Sequence, residues 1–316
     1  MKIGSLCTGY GGLDMAVEAY FNAETIWVSE IDKYASKIIE EKIQKPNLGN
    51  LKNVDWSQVA PIDILTAGYP CQPFSHAGNR KGETDERHLW PYIKEIISIL
   101  RPSIVVLENV RGHLSLGFKE VLQDLTQIGY NARWQIVRAS DVGAPHQRAR
   151  LFIVAYPNGD AREESRRDNR SIPDAPSQEF NWSNRQINGT GVETDSNTDS
   201  TGSQRWTSTS LSRWGSANRH SNQGLTINAS TQQQPYDGQM SQLGQRFIAR
   251  SNMYLQNVPP PLVEGRLNAQ FVEYMMGLPP GWVTDIDLSR AQQLKILGNG
   301  VVPQQAYYAL ELLTND

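Results

Sequence analysis

A thiol at Cys71 stands inside Gly68-Tyr69-Pro70-Cys71-Gln72-Pro73-Phe74-Ser75. It follows Ile62-Asp63-Ile64-Leu65-Thr66-Ala67, a run with the length and β-branched character of a buried parallel strand. Open α/β sheets gather reactive groups at the carboxyl ends of such strands, and Pro70 stiffens the approach to the thiol. A lone cysteine is more often an inert hydrophobe than a nucleophile, so its partners decide its meaning. The run Ile104-Val105-Val106-Leu107 delivers Glu108-Asn109-Val110 to the same edge, which would set a carboxylic acid beside the thiol. Further on, Gln147-Arg148-Ala149-Arg150 precedes Leu151-Phe152-Ile153-Val154; strand alternation would turn Arg148 and Arg150 to one side as a clamp for an anion or a carbonyl oxygen.

A second set of residues suits a nucleotide-like ligand. Cys7-Thr8-Gly9-Tyr10-Gly11-Gly12 lies between a strand-like run and a helix, where glycines let backbone approach a ligand closely. The spacing departs from Gly-x-Gly-x-x-Gly, and such turns also occur where nothing binds. Glu30, however, ends the next strand 21 residues after Gly9, the separation at which a carboxylate reaches ribose hydroxyls. Asp14, in the first turn of a helix, and Asp32, at the cap of the next, need no ligand and are left out of the site.

The elements that must position these groups alternate in the first half of the chain. Strands are expected at Lys2 to Cys7, Thr25 to Val28, Asp63 to Ala67, Ser103 to Leu107 and Leu151 to Ala155. Helices are expected at Gly12 to Phe21, Lys33 to Gln44, Leu89 to Leu100 and Phe118 to Gly129, the rhythm of a parallel sheet with helices on both faces. After Tyr156 the composition turns to Ser, Asn, Thr, Gln, Gly and Arg with thin apolar periodicity as far as about Gly244. Order returns with a helix from Ala269 to Met276 and a last one from Gln304 to Leu313. The expected division is residues 1–157 with 291–316 as one domain and 158–290 as a second, of which 158–244 reads as partly flexible.

Composition narrows the classes. With 316 residues, 39% hydrophobic content and a net charge of -3, the chain reads as a globular protein with no membrane span. Its start lacks the regions of a signal peptide, so a cytoplasmic setting is expected, with Cys7 and Cys71 as free thiols. Scattered histidines and two distant cysteines give no metal-ligand spacing. Lysine is absent between Tyr156 and Leu262 while arginines recur there; that bias suits phosphate and guanine contacts, and equally a solvated mixed-charge surface.

Taken in order, these motifs resemble those of the DNA cytosine-5 methyltransferases. The match rests on Gly9-Tyr10-Gly11-Gly12, Glu30, Gly68-Tyr69-Pro70-Cys71-Gln72, Glu108-Asn109-Val110, Gln147-Arg148-Ala149-Arg150, Arg266-Leu267-Asn268 with Met276-Gly277-Leu278-Pro279, and Leu297-Gly298-Asn299-Gly300. The resemblance implies a Rossmann-like sheet that uses S-adenosyl-L-methionine, plus a smaller irregular target-recognition domain. It implies that Cys71 adds to carbon 6 of a flipped-out cytosine, that Glu108 binds the exocyclic amine and ring nitrogen 3, and that Arg148 and Arg150 hold the base carbonyl and backbone. For the cofactor it implies Gly9, Gly11 and Gly12 beside the amino-acid portion, Glu30 on the ribose and Asn299 with Gly300 near the methionine end. Ile31, Leu51 and Pro70 join that set, as do Cys7 and Asn50, which stand where the family commonly has an aromatic residue and an aspartate. The segment Ser75 to Glu83 looks like the family's closing loop.

Duplex DNA is the implied partner, with the enzyme acting as a monomer and a cognate restriction endonuclease as its counterpart. Two alternatives within the same family stay open: a transfer RNA cytosine-5 methyltransferase and a non-catalytic DNA-binding regulator. A nicotinamide enzyme would leave Pro70-Cys71-Gln72, Glu108 and the arginines unexplained, and no histidine stands in a diagnostic context for a cysteine hydrolase.

Overall fold

The computed structural model describes residues 1–70, 89–159 and 258–314. Its centre is a six-stranded sheet in the order β2-β1-β3-β4-β6-β5. The strands are β1 (Lys2–Leu6), β2 (Glu24–Ser29), β3 (Ile64–Gly68), β4 (Ile104–Val110), β5 (Tyr130–Val137) and β6 (Arg150–Pro157). The first four run parallel, and β6 pairs antiparallel with both β4 and β5. The all-parallel expectation fails on this side for a topological reason. Between β5 and β6 the chain makes only a loop with a 3-10 turn at Ala139–Val142, too little for the crossover a parallel neighbour needs.

Helices cover both faces. On one, α3 (Trp90–Leu100) and α4 (Phe118–Gln127) bring Ile93, Ile97, Val121 and Leu125 against Leu65, Val105, Leu107 and Ile153. On the other, α1 (Gly12–Phe21) and the last helix (Pro303–Thr314) bring Leu13, Val17, Ala306 and Leu310 against Ile3, Ile64, Val106 and Val154. Adjacent residues such as Leu65 and Ile64 thus serve opposite layers. Buried on both faces, the central strands read as continuous apolar runs. Each fully buried aliphatic side chain contributes roughly 1.5–3 kcal/mol.

The remaining pieces join this frame. The expected single helix from Lys33 divides into α2 (Lys33–Ile38) and a wider π turn over Ile39–Ile43, closed by Gln44 in a left-handed conformation. After a two-stranded hairpin, β7 (Leu262–Val263) and β8 (Arg266–Leu267), come α5 (Ala269–Met275) and α6 (Arg290–Asn299). The last helix is α7. Val272, Met276, Leu278, Val283 and Ile286 pack with Tyr10, Ile38, Leu297 and Val302. Residues 269–286, assigned by composition to the second domain, therefore share a core with the first. Residues 160–257, and with them the expected flexible stretch 158–244 almost entirely, lie outside the described residues. Among the described residues no helix is long and apolar enough to cross a membrane.

Candidate active site

Between β1 and β3 the chain direction across the sheet reverses, and open sheets bind ligands in the crevice this leaves at their carboxyl ends. A cavity of about 350 Å³ occupies that position. Residues ending β1, β2, β3 and β4 wall it together with Lys295 and the segment Gly298 to Val301.

The turn after β1 is built for close approach. Cys7, Gly9 and Gly11 all take positive φ, of 53°, 58° and 83°. The freed Gly9 N–H donates to Glu30 Oε2 at 2.9 Å, and Asp32 N–H donates to Oε1 at 2.8 Å. With about four acceptor positions on a carboxylate, Glu30 keeps acceptor capacity for a ligand beside these amides. Burial pushes the Glu30 carboxyl up from its ordinary range, against the lowering effect of the Asp32, Gly9 and Ile31 amides. At the rim, Asp32 caps α2 through Tyr34 and Ala35 N–H and pairs with Lys295 at 3.1 Å. Burial raises the Cys7 thiol pKa, and the nearby Glu30 charge raises it further, so the thiol stays neutral.

Tyr10, whose role sequence reading missed, joins the two ends of the chain here. Its ring is fully buried and its hydroxyl donates to Val301 O at 2.6 Å, while Trp282 Nε1 donates to Tyr10 O at 2.9 Å. A β-carbon on Gly12 or on Gly300 would strike that ring. These two glycines are thus required by packing as well as by the cavity they line.

At the opposite sheet neighbours, Glu108 and Arg150 form a buried pair, Nε to Oε1 at 3.1 Å. The sequence pattern ended the strand at Leu107. Antiparallel pairing of Glu108, Asn109 and Val110 with Phe152, Leu151 and Arg150 carries β4 to Val110 and sets the two charged residues diagonally, Arg150 opposite Val110 and Glu108 opposite Phe152. Burial raises the Glu108 pKa, and the Arg150 and Arg148 cations oppose the rise. Asn109 Nδ2 donates to Tyr69 O at 3.1 Å, and the Tyr69 hydroxyl lies 3.0 Å from His113 Nε2. That network holds the backbone leading to Pro70, which lines the cavity; Cys71 itself lies outside the described residues, as does the loop Ser75 to Glu83.

Cys7, Gly9, Gly12, Glu30, Ile31, Pro70, Glu108, Arg150, Asn299 and Gly300 all line the cavity; Gly11, Asn50, Leu51 and Arg148 do not. Gly11 faces Ile43, whose Cδ1 lies 2.8 Å from where a β-carbon would stand. Asn50 turns its Oδ1 to Lys52 N–H at 3.0 Å, and buried Leu51 accepts from Trp56 Nε1 through its carbonyl. Arg148 has φ of 36° and precedes β6, so the strand alternation invoked for it does not apply. Its fully buried guanidinium donates from Nη2 to Gly298 O at 2.8 Å and to Gly300 O, strapping down the segment that carries Asn299. Among the described contacts Arg148 thus holds the Gly298 to Gly300 backbone, while Arg150 lines the cavity. Asp14, set aside on sequence grounds, lines the cavity. Its helix-start position gave no signal that Ser5 and Thr66 would approach it from the sheet.

A family profile described as C-5 cytosine-specific DNA methylase matches residues 1–314. The chain belongs to that family. Among C-5 cytosine-specific DNA methylase relatives, type II methyltransferase M.NgoBI of Neisseria gonorrhoeae is 35% identical over 160 residues, 49% of this chain and 50% of its own length. M.HhaI of Haemophilus parahaemolyticus is 32% identical over 163 residues, 50% of each chain. The aligned part thus spans about half the length of these curated relatives. Among solved structures, the Dnmt2 methyltransferase of S. pombe superposes with TM-score 0.56 at 19% identity, covering 99% of both chains. A DNA modification methyltransferase encoded in an E. coli prophage gives 0.55 at 18%, covering 100% of both. At such identities the likeness concerns the fold, and the fold is that of the methylase family.

Proposed function

We propose that this chain methylates carbon 5 of cytosine within a specific duplex DNA sequence, with S-adenosyl-L-methionine as methyl donor. The observation that carries the reading is the buried Glu108–Arg150 pair opening onto the same cavity as the Glu30 turn and Pro70. One wall suits an adenosine-bearing ligand and the other a neutral heterocycle with amide-like edges.

The residues present fit the cofactor. Glu30 offers its free lone pairs to ribose hydroxyls, Cys7 and Ile31 supply apolar surface, and Gly9, Gly12, Asn299 and Gly300 leave backbone exposed along the cavity. Bound there, S-adenosyl-L-methionine would supply an electrophilic methyl group. Carbon 5 of cytosine is a weak nucleophile, so the ring must first be activated. Cys71, next after Pro70, serves as the thiolate that adds to carbon 6 of the extruded base and is expelled at the end. Glu108 holds the exocyclic amine and ring nitrogen 3. Its raised pKa favours keeping a proton at the oxygen facing nitrogen 3, which neutralises the charge that builds as sulfur adds. Arg150 fixes Glu108 in that orientation and has further donors for the base carbonyl. Base contacts that select the sequence fall to residues between Asn158 and Leu262, most of them outside the described residues. The type II names of the relatives favour a restriction endonuclease as the counterpart of the activity.

The test is base-resolution methylation sequencing of unmethylated duplex DNA incubated with the protein and S-adenosyl-L-methionine, beside Cys71→Ala. Methylation at one short motif, absent with the variant, is expected. Methylation of transfer RNA in place of DNA in a parallel reaction would overturn the choice of substrate, and silence on both would favour the non-catalytic regulator.

A further inference from the structure

The pairing of β3 with β4 ends at Gly68 and Glu108. Beyond it Pro70 has no N–H with which to continue a ladder, so the backbone that leads on to Cys71 must be held in another way. Side chains from the segment after Glu108 do this. Asn109 Nδ2 donates to the Tyr69 carbonyl at 3.1 Å, and His113, in the 3-10 turn Arg111–Ser115, meets the Tyr69 hydroxyl through Nε2 at 3.0 Å. Tyr69 and His113 are both buried, and Tyr69 and Pro70 line the cavity. The two rings meet edge to face, with centroids 5.7 Å apart and planes at 84°. Trp90 packs on the Tyr69 ring at 5.7 Å, and Phe118 on the His113 ring at 6.2 Å.

Packing alone does not ask for this pair. Phenylalanine and leucine would fill the space without burying a hydroxyl and an imidazole, both of which lose water on folding. The bond between them offsets that loss only while both tips stay in place, so it fixes Tyr69 at one position where apolar contact would let it slide. Burial lowers the His113 pKa to about 4, against the raising effect of the Leu116 backbone, so the ring is neutral near pH 7 and can meet the hydroxyl in either tautomer. Tyr69 is thus held at its carbonyl and at its tip by residues that closely follow Glu108 in the chain. Resting on the methylation reading made above, we propose that His113 is a positioning residue for that reaction. Through the Tyr69 hydroxyl it sets Pro70, and with it the thiol-bearing residue that comes next, in register with Glu108.

Single-turnover methylation at saturating duplex DNA and S-adenosyl-L-methionine tests this, beside calorimetric affinities for both. Tyr69→Phe, which removes one oxygen and keeps the ring, should slow the step by about tenfold or more and leave both affinities within about threefold, the signature of a misplaced reacting group. His113→Leu should slow it likewise, and His113→Gln, whose amide can still meet the hydroxyl, should recover most of the rate. An unchanged rate in Tyr69→Phe overturns the inference. So does a rate loss matched by lost affinity, or a folded glutamine variant as slow as the leucine one. If both His113 variants misfold, Tyr69→Phe decides alone. A wild-type chain inert on DNA and on transfer RNA overturns the methylation reading and this inference with it, whereas an active wild type beside an equally fast Tyr69→Phe removes the inference alone.

Discussion

Glu108 and Arg150 show how single residues are set against each other by their surroundings. Each is nearly fully buried, so each is stabilised chiefly by its partner, and removing one leaves an uncompensated charge costing roughly 3–5 kcal/mol. Glu108→Gln keeps the shape and gives up the charge; single-turnover methylation should slow by about 100-fold or more while calorimetric cofactor affinity stays within about threefold. Asp14 makes a different prediction. Its pKa lies above the unfolded value of 3.8, at about 6, so the folded state binds the proton more tightly. The stability it contributes is fully present below pH 4 and is lost as the pH rises through 6, by up to about 3 kcal/mol. Ser5, Thr66 and Glu18 are the groups that face it. Urea denaturation of the ligand-free protein across that window should show the decline, and Asp14→Asn should flatten it. Part of this scale was legible in the sequence: Glu30, Glu108, Gly9 and Gly12, singled out by motif spacing, line one cavity, whereas Gly11 faces Ile43. Tyr10 and Asp14 escaped because their partners, Val301 and Thr66, are distant in the chain, and nothing in local spacing marks a ring or a carboxyl that waits for them.

Among elements, the turn after β1 and the end of α6 with the segment after it act as two jaws joined by Tyr10, the second being held in place by Arg148. Gly300→Ala drives a methyl group into the Tyr10 ring and should cost about 1–3 kcal/mol in chemical denaturation, with cofactor affinity falling alongside because Asn299 moves. A Gly300→Ala protein with unchanged stability and affinity would show that the jaws are not coupled. Strands β3, β4 and β6 announced themselves through largely apolar runs, and β1 through its place before the glycine turn. Strand β5 did not: Tyr-Asn-Ala-Arg-Trp-Gln-Ile-Val mixes polar and apolar residues because an edge strand is half exposed. Helix α6 was also silent, since Gln292, Gln293 and Lys295 break up its apolar stripe, although Ser289 and Gln292 form a capping box that could have marked its start.

For the whole molecule, the long route of the chain matters more than any one contact. The bond from Tyr10 to Val301 spans 291 residues, and α7 closes the core layer opened by α1. Leu310→Ala, which empties a fully enclosed site between α7 and the sheet, should destabilise by about 2–5 kcal/mol in calorimetry, and a loss under 1 kcal/mol would mean that α7 is not integral to that layer. The same closure bears on biosynthesis. A ribosome releases the amino terminus long before Gly298 to Val301 exist, so the glycine turn must wait, with its Tyr10 ring uncovered, until that segment has been made. Nascent chains arrested before residue 298 should be readily cleaved by protease near Tyr10, and those extended past residue 314 and clear of the exit tunnel should resist. The cavity at the sheet's carboxyl edge is therefore walled completely only after the segment Gly298 to Val301 has been made.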